Sequence, residues 1–240
     1  MKSRIGIIVG IVAAFLLVIA GIVMVSNQPT TPPASVTFSD RDNIEAMASQ
    51  IDFSNYSVNK VNAADASSGQ LPEKVKGDKS APVIIYEFAD YACGHCAETN
   101  TELNRIYNDY DGRVAIVFRT FILGLQNGVA AAQAANAADI QGYWERYKNI
   151  LFSEQAIWMR LRDGKLEDYL VKTFKEASDG AGDVDKFIKD MSSAAVIQRI
   201  AFDQAAANSI EVSGTPYLII NGERVAVTDL RTTIDEILKK

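Results

Sequence analysis

Along the chain, apolar and polar residues alternate in blocks of different period, and these blocks predict the elements. Ile5 to Val25 is an unbroken apolar run without charge or proline, preceded by Lys2 and Arg4. At a helical rise its length comes to roughly 32 Å, enough to cross a bilayer core of about 30 Å. The basic residues ahead of it predict a cytoplasmic N-terminus and an exported remainder. A cleaved signal peptide is the competing reading, since Val18-Ile19-Ala20 suits a cleavage site. The run nevertheless continues well past the 7–15 residues of a typical signal core, so residues 1–25 are read as an uncleaved single-pass anchor.

Pro29, Pro32 and Pro33 among Ser, Thr, Asn and Gln then mark an extended tether. Ile44, Met47, Ala48 and Ile51 repeat at helical spacing and predict a short helix. Residues 54–79 are polar and predict an irregular lead-in with a turn at Gly77-Asp78. Val83 to Phe88 is a compact β-prone run that suits a buried strand. Leu103, Ile106, Tyr107 and Tyr110 place a helix over Ala97–Tyr110, stopped by Asp111-Gly112, and Val114 to Phe118 forms a second strand. Strand, helix and strand with short links make a βαβ unit with parallel strands.

From Gln126 to about Asn208 the pattern becomes Ala-rich and helical: Val129–Asp139, Tyr143–Phe152, Lys165–Ala177, Val184–Ser193 and Val196–Asn208. Tyr217 to Ile220 is a third strand, Asn221-Gly222 a type I′ hairpin signal, and Val225-Ala226-Val227 the return strand. Thr228 or Asp229 can cap a last helix running to Leu238. The domain organisation expected is an anchor (1–25), a linker and lead-in (26–76), a first α/β part (77–124), a helical insertion (125–195) and a second α/β part (196–240).

Charge removes one class of function. The formal net charge is −6 and the isoelectric point about 4.9, with no dense Lys/Arg run, so a nucleic-acid partner is not expected. Beyond Lys2 and Arg4, 22 basic residues face 30 acidic ones; attraction to anionic lipid is not expected to assist the soluble part.

The chain has two cysteines, three positions apart in Cys93-Gly94-His95-Cys96. A loop so small makes a poor staple, and an exported protein relying on disulfides for stability usually carries more cysteines at wider spacing. The motif falls where the first strand has ended and the helix begins. Unpaired N–H groups and the helix dipole there favour a thiolate. Cys93 is the expected nucleophile and Cys96, one turn further in, the resolving thiol. His95, the only histidine, would stabilise the thiolate further as an imidazolium and make the disulfide more oxidising. Structural zinc would need four ligands, and no second cysteine pair exists, so no metal or other cofactor is expected. A copper-carrying thiol pair is the remaining metal reading, because two soft ligands can suffice. A Cys-His-Asn hydrolase fails because the sole histidine sits on the same turn as Cys93.

The second signal is Gly214-Thr215-Pro216-Tyr217. A proline directly before a strand that should be central is unusual. A cis Thr215–Pro216 bond would account for it and aim the Thr215 backbone at a partner chain; the alternative is a trans proline opening an edge strand.

Together these segments resemble the thioredoxin superfamily, specifically its DsbA-like branch, which includes membrane-tethered enzymes. The resemblance is carried by Gly77-Asp78-Lys79-Ser80-Ala81-Pro82-Val83, by Glu87-Phe88-Ala89-Asp90-Tyr91-Ala92-Cys93-Gly94-His95-Cys96 and by Gly214-Thr215-Pro216, and it covers roughly residues 75–240. It implies a thioredoxin-like α/β fold, a central mixed sheet flanked by helices with an inserted helical subdomain. The implied activity is protein thiol–disulfide exchange, with exported proteins bearing free thiols as substrates and a redox partner that reoxidises the pair. It implies a proton relay to Cys96 for Glu87, whose pKa burial should raise; the alternative is that Glu87 points outward at a sheet edge. Asp90 is either a second acid or a turn or cap residue. Two departures bear on direction. Gly94 stands where DsbA-like enzymes often carry Pro, a Gly-His pair more familiar from disulfide isomerases, and Thr215 stands where Val is frequent. Gly94, Thr215 and Pro216 are the expected substrate-facing residues. Oxidase, isomerase and reductase all remain open on these residues.

Overall fold

Strand β2 (Val83–Ala89) explains why its sequence is apolar without alternation: it lies at the middle of the sheet and both its faces are covered. It runs parallel to β3 (Val114–Thr120), with Val83 opposite Val114 and Glu87 opposite Phe118. On its other side it pairs antiparallel with β4 (Tyr217–Ile220), Ile85 opposite Ile220 and Phe88 opposite Tyr217. The sheet is completed by β1 (Lys74–Lys76) against β3 and by β5 (Glu223–Val225) against β4, both antiparallel, giving the order β1-β3-β2-β4-β5. This is the computed structural model of the chain, and it describes residues 36–162 and 164–239. The expected anchor over residues 5–25, and most of the tether, lie outside the described residues. Among the described residues no helix is long and apolar enough to cross a membrane.

The helices in chain order are α1 (Arg41–Ala48), α2 (Gly94–Asp109), α3 (Gly128–Ile140), α4 (Trp144–Ser153), the single turn α5 (Gln155–Trp158), α6 (Gly164–Ala177), α7 (Val184–Met191), α8 (Ala194–Asn208) and α9 (Leu230–Leu238). Successive β residues point to opposite faces, and the core divides accordingly. Val83 and Ile85 pack with Leu103 and Ile106 of α2 and with Leu230 and Ile234 of α9. Tyr86 and Phe88 pack on the other face with Val117, Ile219 and Ala206 and Ala207 of α8. Between β3 and β4 the chain is helical. Ala-rich α3 buries Ala130 to Ala138; its small side chains admit neighbours on several sides, among them Trp144, Tyr147 and Leu151 of α4.

Three expectations are corrected. The lead-in is not irregular throughout. Lys74-Val75-Lys76 forms β1, paired with Phe118-Val117-Ile116. Two lysines in three residues conceal a strand because their charges are met inside the protein: Lys74 Nζ donates to Asn136 at 3.0 Å and reaches Asp203 at 3.4 Å. The return strand is Glu223–Val225, two residues earlier than expected, and Val227–Asp229 forms a 3-10 turn. Its hairpin has both central residues at positive φ, Asn221 at 53° and Gly222 at 88°, so the pairing register begins immediately after the turn. Asp229 stands at the cap position of α9, but its side chain makes no capping bond.

A buried charge cluster joins the lead-in to the sheet. Arg119 of β3 donates to both carboxylate oxygens of Glu73 at 3.1 Å and to the main-chain oxygens of Val58 (2.6 Å) and Lys60 (2.9 Å). Nearby, Asp203 of α8 pairs with Arg199 and Lys74 and accepts the Thr120 N–H at 3.0 Å. Burial alone would raise its pKa, but Arg199, Lys74 and the Thr120 N–H outweigh it and hold the carboxyl low.

Candidate active site

The chain leaves β2 at Ala89 and turns before α2. Asp90 makes that turn. Its Oδ1 accepts the Ala92 N–H at 2.8 Å, its Oδ2 accepts the Leu123 N–H at 2.8 Å, and its main-chain oxygen accepts the Cys93 N–H at 3.0 Å. Both carboxyl oxygens are engaged by backbone, so the geometry favours the turn reading over the second-acid reading. Gly128, the first residue of α3, abuts this carboxylate; a Cβ there would lie 3.0 Å from Asp90 Oδ1. The start of the helical region is thereby packed against the turn that carries the cysteines.

Cys93 occupies the cap position of α2 with extended backbone (φ −81°, ψ 121°), and its carbonyl receives the Ala97 N–H at 3.2 Å. The helix therefore begins at Gly94, one turn earlier than its apolar pattern alone indicated. The first-turn N–H groups of the helix open at the cap that Cys93 occupies, and its side chain makes no capping bond to them. The Cys93 thiol faces the main-chain oxygen of Thr215 at 3.5 Å, and the Thr215–Pro216 peptide bond is cis. Tyr217 then opens β4 beside β2, so the proline precedes an interior strand and not an edge. Both cysteines are free thiols; Cys93 is 6% exposed and Cys96 is sealed. Burial pushes the Cys96 thiol far above its ordinary range. The Thr215 side chain opposes this, the charge of Glu87 adds to it, then that of Cys93, and the backbone at Asp90 opposes it weakly.

Glu87 shares the parity of Val83 and Ile85 and so lies on the β2 face that α2 covers. It is fully buried, and neither carboxyl oxygen has a hydrogen-bond partner among the described residues. Desolvation raises its pKa to about 7, against a lowering influence from Lys148. Lys148 is itself buried, its ammonium 5.0 Å from the Trp144 ring centroid and 5.8 Å from that of Phe118. Desolvation lowers its pKa to about 8, with Glu87 pulling the other way. Glu87 is thus an interior acid poised near neutrality, not a residue at a sheet edge.

His95 projects outward. Its side chain is 83% exposed, with Nδ1 3.3 Å from the Glu98 carboxylate. Gly94 is exposed beside it. The seven candidate residues fall into three groups: Cys93, Cys96 and Thr215-Pro216 face one another, Glu87 lies beneath them, and Gly94 and His95 form the outer rim.

Two residues escaped the sequence reading. Gln155 Nε2 donates to the main-chain oxygens of Tyr91 (2.7 Å) and Cys93 (3.0 Å); nothing in a polar stretch 62 positions from Cys93 signals this. Lys148 did leave a signal. It falls on the face of α4 defined by Trp144, Tyr147 and Leu151, and a lysine on an otherwise apolar stripe calls for an interior partner.

Comparison with known proteins agrees with this geometry. A thioredoxin family model, Thioredoxin_4, matches residues 70–240. A probable disulfide bond formation protein D of Bacillus cereus is 30% identical over 173 residues, covering 68% of this chain and 78% of that protein. A Na(+)/H(+) antiporter, NhaA 3 of Salinispora tropica, is 32% identical over 155 residues; 63% of this chain matches, but only 22% of the antiporter's length is spanned. Among solved structures, a thioredoxin-like oxidoreductase from Silicibacter pomeroyi superposes with a TM-score of 0.57 at 27% identity, covering 72% of this chain and 97% of that one. With the cysteine pair at a helix start, a cis-proline loop facing it and these relatives, the chain belongs to the thioredoxin family matched by that model and is a DsbA-like thiol–disulfide oxidoreductase.

Proposed function

We propose that this protein is an extracytoplasmic oxidase that donates the Cys93–Cys96 disulfide to exported proteins, held at the membrane by residues 5–25. The observation that carries the reading is the asymmetry of the pair: Cys93 stands at the helix start against the Thr215 oxygen, and Cys96 is sealed one turn behind it. A substrate thiolate attacks Cys93 Sγ of the disulfide. The S–S bond breaks, Cys96 leaves as a thiolate and a mixed disulfide forms. Cys96 strongly favours its protonated form, and Glu87, half-protonated near pH 7, is the group suited to supply that proton. A second substrate thiolate then attacks the mixed disulfide and releases the substrate's new disulfide and the Cys93 thiolate, which the helix N-terminus stabilises. Two electrons have passed to the pair, and a separate redox partner must remove them. The Thr215 backbone and Pro216 receive the substrate chain beside Cys93, while Gly94 and His95 tune potential and partner choice at the rim. In this reading residues 77–124 and 196–240 are the catalytic α/β parts, and residues 125–195 are a helical insertion whose Gln155 and Lys148 serve the site.

Equilibration of the pair with glutathione tests the direction. An oxidase requires a potential well above the value of about −270 mV characteristic of thioredoxin. A potential as negative as that overturns the oxidase reading in favour of a reductase.

A further inference from the structure

Asn127 stands just ahead of α3, where an asparagine ordinarily caps the helix, yet its side chain makes no capping bond. Its backbone is left-handed, with φ 63°, a conformation that favours glycine and, among other residues, asparagine and aspartate. The amide is committed elsewhere. Its Nδ2 donates to the main-chain oxygens of Trp158 at 2.9 Å, Leu161 at 3.1 Å and Met159 at 3.4 Å. We propose that Asn127 is a positioning residue for disulfide exchange, clamping α5 so that Gln155 holds the Cys93 carbonyl in place. The proposal rests on the reading that Cys93 is the attacking thiol.

Three observations support it. First, α5 cannot hold itself. A single helical turn is too short to be stable alone, and the carbonyls at its end need partners from outside. Asn127 serves that end, while Tyr169 Oη donates to the Glu154 carboxylate at 2.7 Å at the other. Exposed Arg162 also reaches the Met159 and Leu161 oxygens at 3.3 and 2.8 Å. Among the described residues, the Trp158 oxygen takes its side-chain bond from Asn127 alone. Second, α5 carries the brace of the cysteine turn. Gln155 Nε2 donates to the Tyr91 and Cys93 oxygens at 2.7 and 3.0 Å, so a shift of α5 reaches the carbonyl of the nucleophile itself. Third, the clamp is tied to the same turn from behind. Gly128 abuts Asp90 and Ala92; a Cβ on it would lie 3.0 Å from Asp90 Oδ1 and 3.5 Å from the Ala92 Cβ. Two consecutive residues thus meet the turn's carboxylate and its outer brace, and they fix the spacing between the two. The residue type fits this task. Glycine would take the backbone conformation but offer no donor, and aspartate would aim an acceptor at three acceptors.

The test uses the full-length chain carrying Cys96→Ser. Attack of the Cys93 thiolate on a peptide disulfide then expels one peptide thiolate and stops at the mixed disulfide, whose rate of formation is followed by mass spectrometry. Denaturant midpoints establish that each variant is folded under the assay conditions. Asn127→Gly keeps the backbone conformation and removes the clamp; it should slow exchange about fivefold through misplacement of the cysteine turn. Asn127→Asp should slow it at least as much. In a Gln155→Ala background Asn127→Gly should cost nothing further, because the clamp then has no brace to hold. An unchanged rate in Asn127→Gly or Asn127→Asp overturns the proposal. So does a fivefold loss that persists without Gln155, which would leave Asn127 a structural role alone. Absence of any mixed disulfide on the Cys96→Ser parent overturns the disulfide-exchange reading of Cys93 instead.

Discussion

Gln155 donates its side-chain amide to the main-chain oxygen of Cys93 at 3.0 Å, and the same nitrogen reaches the Tyr91 oxygen at 2.7 Å. One side chain from the helical region thus braces the turn on which the nucleophile stands. Gln155→Ala removes both bonds and is expected to cost about 1–2 kcal/mol of stability, read from denaturant midpoints. The same variant should slow disulfide exchange of Cys93 with a peptide disulfide, followed by mass spectrometry, because the cap of α2 loses its outside support. Stability lost with an unchanged exchange rate would reduce Gln155 to a structural brace.

Glu87 and Lys148 give the fold an unusual dependence on pH. The folded state keeps the Glu87 proton up to about pH 7, whereas the unfolded chain releases it near the ordinary 4.5. Stability therefore falls as pH rises through that window, by about 3 kcal/mol in all. Lys148 acts in the opposite sense. The folded state gives up its proton near pH 8 and the unfolded chain only near 10.5, so stability recovers between those values. Urea unfolding across this range should show a trough between about pH 7 and 8. Glu87→Leu should abolish the acid-side slope and Lys148→Met the alkaline one. Combining the two should give less than the sum, with a coupling of about 0.5–3 kcal/mol. A flat profile in the unaltered protein would refute the account.

The unequal burial of the thiols predicts unequal trapping. With Cys96→Ser, an activated disulfide peptide should accumulate on Cys93 as a stable mixed disulfide, visible by mass spectrometry. With Cys93→Ser, Cys96 is sealed and its thiol strongly protonated, and no conjugate should form on the native protein. Equal labelling of both variants would remove the basis for calling Cys93 the nucleophile.

Legibility in the sequence followed how local each cause was. The central strands, α2 and the Asn221-Gly222 turn announced themselves because burial on both faces, a helical stripe and positive φ leave marks within ten residues. Cys93, Cys96 and the Thr215–Pro216 loop were legible because thiol chemistry and an interior proline are rare enough to stand out. Strand β1 was hidden because Lys74 finds Asn136 and Asp203, 62 and 129 positions away. Gln155 was hidden for the same reason, since a neutral amide in a polar segment says nothing about a turn 62 positions earlier. Lys148 lay between these cases, conspicuous on its helix face but with a partner that only the fold identifies.

The Arg119 cluster has a practical consequence for anyone who cuts this chain. Family similarity begins at residue 70, which invites a fragment starting there. Such a fragment keeps Arg119 and Glu73 but discards the Val58 and Lys60 carbonyls that receive the guanidinium. It would place a permanent cation inside a sheet with half its acceptors missing. A shortened piece that keeps the acceptors of this one arginine must therefore start at or before Val58, upstream of where the family match begins.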